Sequence, residues 1–331
     1  MLLRALRVWG ALLLVALVAC PARTADGATR TDRQPTKTRV TAGKTSVQRA
    51  KRAGARKSTA ARRVKSHRHR RPPPRGGVYA RNALVIDPAT DQVLFEKRAG
   101  DRVPIASLTK LMSALALLEQ KPDLRREVEV TRAEIRGGGH TQLRDRERVA
   151  LYDLLRMCLM NSDNVATRVL VRESGLTPDA FVARMNEKAG ELGLTDTYFA
   201  EPTGLDERDV STATDVARLL RAAADHYLIR EITTTPSYVF VSEYPGRRRT
   251  VSRTHHIVNT NRLLRSNRYE FSCSKTGFIA ESGYCAATWL RNQGRDLIAV
   301  VLGAPTNATR FADIVRLVQR TETLSLDPAP R

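Results

Sequence analysis

Apolar positions follow three different spacings along this chain. They run almost unbroken from Val8 to Ala19, interrupted by Gly10, become scarce from 21 to 77, and recur from Val78 onward with the periods of folded elements. The runs 83–86 and 93–97 flank Asp87-Pro88-Ala89-Thr90-Asp91 and predict strand, turn, strand. Apolar residues three and four apart then predict helices over 107–119, 151–160, 164–172, 178–192 and 212–224. Short strand-type runs return at 238–241, 271–276, 284–290 and 297–302, and a last amphipathic helix spans 308–323. Strands at both ends with helices between them predict one α+β domain over 78–325, in which the terminal segments complete an antiparallel sheet beside a helical region. Only a short tail, 326–331, follows.

Charge changes the picture of the first quarter. The formal net charge of +22 suggests a nucleic-acid binder or a partner of acidic polymers. Residues 21–76 hold 18 Lys and Arg against two acids, Asp26 and Asp32, and Arg4 and Arg7 add two more, so everything after 76 carries only +4. The basicity belongs to a tail, and no nucleic-acid partner is expected. With almost no large apolar residues, 21–77 reads as a disordered basic linker that cannot offset its ordering entropy. Gly43-Lys44-Thr45 within it lacks the first glycine and preceding strand of a phosphate loop, and His67 and His69 read as part of the arginine run rather than as metal ligands.

Ahead of the linker, Arg4 and Arg7 followed by the Val8 to Ala19 run read as an export signal over 1–20, too short for a membrane helix. Leu17-Val18-Ala19-Cys20 also resembles a lipobox, in which Cys20 becomes the lipidated first residue of the mature protein; simple cleavage nearby is the alternative. The expected location is the periplasm or cell envelope. Cys273 and Cys285 fall on strands expected to be hairpin neighbours, and a disulfide needs them directly opposite each other. The alternative is two packed thiols, which is also the reading for Cys158 on its apolar helix.

Three short motifs carry candidate chemistry: Ser107-Leu108-Thr109-Lys110, Ser162-Asp163-Asn164 and Lys275-Thr276-Gly277. Singly, each has an ordinary reading as a helix cap with a solvated lysine, an interhelical turn, and a strand end. A second Ser-x-x-Lys, Ser272 to Lys275, shows how readily such a pattern arises by accident. Together and in order, each on the element its role requires, they describe one site. Ser107 sits in the first turn of a predicted helix and Lys110 lies one turn on along the same face. A serine hydroxyl needs a neighbour to remove its proton, and a lysine does this when burial and a second positive charge lower its pKa. Neither a His-Glu-x-x-His run nor paired Cys-x-x-Cys occurs, so no metal or other cofactor is expected, and His255-His256 read as strand residues.

This trio resembles that of the low-molecular-weight penicillin-binding proteins, the serine D-Ala-D-Ala carboxypeptidase and endopeptidase family. The likeness runs from Val78 to Thr323 and includes Pro202-Thr203-Gly204-Leu205, Ser211-Thr212-Ala213 and Asn259-Thr260-Asn261-Arg262-Leu263-Leu264; Asp209, where Asn is expected in many relatives, departs from the pattern. The resemblance implies a penicillin-binding, β-lactamase-like transpeptidase fold. It implies Ser107 as the acylated nucleophile, Lys110 as base and Ser162 as proton relay. Asn164 would hold the substrate amide, and Lys275 and Thr276 the carboxylate side. Gly277 would leave room for substrate backbone, and the N–H groups of Ser107 and Phe278 would form an oxyanion hole. Peptidoglycan stem peptides are the implied substrates and β-lactams covalent inhibitors. Asn259-Thr260-Asn261 and the lack of a β-rich C-terminal domain or amphipathic tail are more similar to the penicillin-binding protein 7 type of endopeptidase than to the carboxypeptidases. The rivals are a class A-like β-lactamase using Glu201, although Pro202-Thr203-Gly204-Leu205 replaces the Glu-x-x-Leu-Asn run, and a catalytically silent peptidoglycan-binding module.

Overall fold

The computed structural model describes residues 77–246 and 248–324. The expected export signal, Cys20, nearly all of the basic linker and the final tail lie outside the described residues. In chain order the elements are β1 (Asn82–Ile86), β2 (Val93–Lys97), β3 (Val103–Pro104), a 3₁₀ turn at Ala106–Leu108, α1 (Thr109–Glu119), β4 (Glu127–Glu129), α2 (Arg132–Ile135), β5 (Arg148–Ala150) and α3 (Leu151–Arg156). A π-helical turn, Met157–Asn161, continues α3 and is followed by α4 (Asn164–Arg172), α5 (Pro178–Glu191), β6 (Val210–Ser211), α6 (Ala213–Asp225) and α7 (Tyr227–Thr234). The chain then forms β7 (Ser237–Pro245), β8 (Thr250–Val258), β9 (Glu270–Ile279), β10 (Gly283–Asn292), β11 (Arg295–Ala304) and α8 (Asn307–Leu324).

The principal sheet has the order β2-β1-β11-β10-β9 and every pair is antiparallel, so strands from the two ends of the domain meet as the sequence predicts. Strand β11 explains why its run Leu297 to Leu302 shows no polar alternation. Leu297, Ala299 and Val301 pack beneath Ile314, Leu317 and Val318 of α8, whereas Ile298, Val300 and Leu302 face the core built from the other helices. A strand covered on both faces reads as a continuous apolar run. Helix α1 is likewise buried from Thr109 to Leu117, which is why it lacks a polar stripe. Each large aliphatic side chain so enclosed contributes roughly 1.5–3 kcal/mol.

Two smaller β units position the site. The ribbon of β3 and β6 pairs Val103 with Ser211 and Pro104 with Val210, which holds the chain just before Ser107. Of the sheet β4-β5-β7-β8, apolar spacing predicts only the part at 238–241. Strand β8 escapes that reading because just His255 and Ile257 of its nine residues are buried, and α7 because its sequence carries no cap signal. His255 is a strand residue, as expected; its Nε2 lies 3.0 Å from Ser242 Oγ and 2.5 Å from Glu147 Oε1. Cys285 pairs with Gly277 and Cys273 with Trp289, so the two cysteines are not opposite each other; with Cys158 they are buried free thiols. Register thus decides between the disulfide and the packed thiols in favour of the thiols.

Candidate active site

Four chain segments meet at Ser107. The residue lies in the 3₁₀ turn that enters α1, one step earlier than the α-helical first turn predicted, and Ala106 before it adopts φ +50°. That left-handed backbone costs on the order of 1 kcal/mol for a side-chain-bearing residue. Two glycines make the turn possible. A Cβ on Gly204 (φ +78°) would come 2.2 Å from the Ala106 carbonyl oxygen, and one on Gly277 would come 2.9 Å from that of Ile105 and 3.0 Å from Ser107 N. Gly277 thus has a nearer reason than the room for substrate expected of it: the turn that carries Ser107 itself fills the space.

Lys110 Nζ donates to Ser107 Oγ at 3.0 Å, to Asn164 Oδ1 at 2.7 Å and to the Thr203 carbonyl at 2.5 Å. The side chain is fully buried, and burial lowers its pKa to about 8 despite the opposing pull of Cys158, Glu201, Asp163 and Asp209. The lysine is therefore partly neutral near pH 7 to 8 and lies within proton-transfer distance of the serine.

The second and third motifs converge from 113 residues apart, the separation of Ser162 and Lys275. Asp163 caps α4 by accepting the Ala166 N–H at 3.0 Å, while Ser162 before it turns the chain at φ +64°. This places Ser162 Oγ 2.8 Å from Lys275 Nζ on edge strand β9. Lys275 also donates to the Thr276 carbonyl at 2.9 Å, and burial together with the Lys110 charge holds its pKa well below that of an ordinary lysine. Thr276 Oγ1 donates to Thr260 Oγ1 at 2.6 Å, a contact that brings in the Asn259-Thr260-Asn261 segment. Phe278 is half exposed beside the turn and stacks on Tyr284 with ring centroids 4.2 Å apart. The second Ser-x-x-Lys lies wholly on β9, and Lys275 Nζ turns to Ser162 and the Thr276 carbonyl rather than to Ser272.

Asn164 uses both ends of its carboxamide internally: Oδ1 on Lys110, and Nδ2 donating to the Gly138 carbonyl at 3.1 Å. Glu201 is not aimed at the serine. Its carboxylate accepts the N–H groups of Thr203 and Leu205 at 2.8 and 2.7 Å and the Thr203 hydroxyl, so it clamps its own loop rather than activating water. Sequence reasoning missed Arg310. This buried residue of α8 donates Nη1 to the Gly277 and Cys285 carbonyls at 3.0 and 3.1 Å, and its guanidinium lies against Tyr284 and Phe311. An amphipathic helix far along the chain gives no local sign that one of its arginines turns inward. Thr141 Oγ1 donates to Asp163 Oδ2 at 2.8 Å, which ties the segment before β5 to the second motif. Among the described residues no group of three or more His, Cys, Asp or Glu is placed to hold a metal ion.

The arrangement sets a buried, partly neutral lysine at one serine hydroxyl and a second buried lysine beside a second serine. A D-alanyl-D-alanine endopeptidase of Pseudomonas aeruginosa is 33% identical over 267 residues, 78% of this chain and 84% of the relative. One of Escherichia coli is 31% identical over 251 residues, 75% of this chain and 79% of the relative. The solved structure of penicillin-binding protein D2 from Listeria monocytogenes in its cefotaxime-bound form superposes with a TM-score of 0.61 at 27% identity, covering 75% of this chain and 99% of the other. The sequence profile described as D-alanyl-D-alanine carboxypeptidase matches residues 67–306, and with motifs, fold and relatives in agreement the chain belongs to that family of serine peptidases.

Proposed function

We propose that this chain is an exported DD-endopeptidase that opens D-Ala-containing cross-links of peptidoglycan through an acyl-enzyme on Ser107. The observation that carries the reading is the double pairing in one cleft, Lys110 Nζ at 3.0 Å from Ser107 Oγ and Lys275 Nζ at 2.8 Å from Ser162 Oγ. Neutral Lys110 takes the Ser107 proton as Oγ attacks the D-Ala carbonyl carbon. The N–H groups of Ser107 and Phe278 receive the charge that develops on the carbonyl oxygen. The C–N bond then breaks, and the proton from Lys110 reaches the leaving amine by way of Ser162. Water adds to the ester, the peptide acid departs, and Ser107 regains its proton. Lys275 and Thr276 hold the substrate carboxylate, whose negative charge favours the protonated form of Lys275 that burial disfavours. Asn164 contacts the substrate amide by exchanging the Gly138 carbonyl for it.

The endopeptidase reading is supported by the names of the relatives from Pseudomonas aeruginosa and Escherichia coli. Its test is digestion of purified peptidoglycan followed by mass analysis of the fragments. Cross-linked dimers are expected to become monomers while terminal D-Ala on monomers is spared; release of terminal D-Ala with dimers intact would make the enzyme a carboxypeptidase.

The export signal and linker extend this reading. Residues 1–20 direct the chain out of the cytoplasm, ending either in lipidation of Cys20, which would anchor the chain in the envelope, or in simple cleavage nearby. The basic linker acts as an electrostatic tether to anionic envelope polymers or lipid head groups, by screened attraction indifferent to sequence. Deleting residues 22–75 is expected to leave turnover of a small soluble substrate unchanged and to weaken binding to intact envelope material, with a difference that shrinks as salt rises. Equal envelope binding by both forms at low salt would remove the tether and leave the catalytic reading intact.

A further inference from the structure

Asp209 belongs to none of the three motifs, yet it is fully buried and joins the segments that build the site. Its carbonyl accepts the Ile105 N–H at 3.0 Å, two residues before Ser107, and its Oδ2 accepts the Thr109 hydroxyl at 3.1 Å, two residues after. Its Oδ1 accepts the N–H groups of Ala200 and Glu201 at 2.7 and 3.1 Å. Glu201 in turn clamps Thr203 and Leu205, so that the Thr203 carbonyl meets Lys110 and Gly204 lies against Ala106. Two carboxylates in series therefore connect the turn that carries the nucleophile to the loop that holds its lysine.

We propose that Asp209 is a positioning residue for acylation: it ties the Ser107 turn to the loop that holds Lys110, and its charge is felt by that lysine. The proposal rests on the reading of Lys110 as the base. The charged groups around the carboxyl are Glu201 on the loop, Arg208 in its own turn and Lys110 on α1; Lys110 itself also faces Lys275, Asp163 and Cys158. Burial, with Glu201 adding to it, pushes Asp209 up to about 7, so its charge changes across the pH range in which Lys110 starts to lose its proton. Ionised Asp209 stabilises the ammonium form of Lys110. A neutral side chain in its place lets Lys110 release its proton at lower pH. The same raised carboxyl has a sign for stability: the folded state holds that proton more tightly than the unfolded state, so between the unfolded value of 3.8 and about 7 stability falls as pH rises.

The test is the second-order rate of acylation of the full chain by a fluorescent penicillin, followed from about pH 5 to pH 9. Asp209→Asn keeps an oxygen for the two backbone N–H groups and offers an amide N–H to the Thr109 hydroxyl, so it preserves the connections while removing the charge. The acidic limb of its profile is expected to move down by several tenths of a unit to about one unit. The decline of stability across the same acid window should also diminish. Asp209→Ala, which drops all three side-chain bonds, is expected to acylate roughly tenfold or more slowly at every pH. An Asp209→Asn profile that superimposes on the wild type overturns the proposal, even if Asp209→Ala is slow or fails to fold. A wild-type profile with no acidic limb overturns both the proposal and the reading of Lys110 as base, whereas an unshifted limb overturns the proposal alone.

Discussion

Ser107→Ala is expected to abolish both covalent capture of penicillin and cleavage of peptidoglycan cross-links while leaving the fold unchanged. The serine oxygen is one of three acceptors of Lys110 Nζ, at 3.0 Å; without it the same ammonium keeps Asn164 Oδ1 and the Thr203 carbonyl. Losing one of three hydrogen bonds changes stability by about 1 kcal/mol, too little to unfold a domain with this core. Losing the nucleophile removes the whole covalent route, a fall on the order of 10⁶-fold in comparable serine peptidases. Mass spectrometry of the intact protein after penicillin treatment gives the decisive readout. Wild type should gain one adduct that maps to Ser107, and the alanine variant should gain none at a thermal midpoint within a few degrees of wild type. An adduct on another residue, such as Ser162 or Ser272, would assign the chemistry elsewhere.

Lys110→Arg is expected to be nearly inactive for a different reason. A guanidinium stays protonated throughout the accessible pH range, so it donates to Ser107 Oγ but never accepts its proton. Removing a general base in this way costs about 10²–10⁴-fold. The wild-type acylation rate should rise with pH as Lys110 deprotonates towards its value of about 8, and the arginine variant should lack that rise. Stability carries a matching signature. The folded pKa of about 8 lies below the unfolded 10.5, so the buried ammonium destabilises the fold fully below pH 8 and the cost disappears as pH rises through the window between the two. The penalty for Lys110 is roughly 3 kcal/mol. Near-wild-type acylation by Lys110→Arg would remove Lys110 as the base, and Lys275, 2.8 Å from Ser162, would become the next candidate.

Much of this protein is determined by chemistry local to the chain. Strand and helix content follows from apolar spacing, which depends only on neighbours along the sequence, so β1, β2, α1, α4, α5, α6, β10, β11 and α8 fall close to their predicted places. The Ser107 to Lys110 pairing is equally accessible, since a one-turn separation on a helix brings two side chains together whatever surrounds them. Tertiary structure alone decided the rest. Whether Lys275 reaches Ser162, whether Arg310 turns inward onto the Gly277 carbonyl, and whether Asp209 spans from Thr109 to Ala200 are contacts between distant segments, and no sequence period encodes them. The cysteine pair shows the limit most simply: the two lie on adjacent strands, as expected, but register sets Cys273 opposite Trp289 and Cys285 opposite Gly277, and register is chosen by packing over the whole sheet. The lowered pKa of Lys110 has the same origin, because desolvation depends on what closes over a side chain, and here that is the loop at Thr203, 93 residues further along, whose position only the folded chain determines.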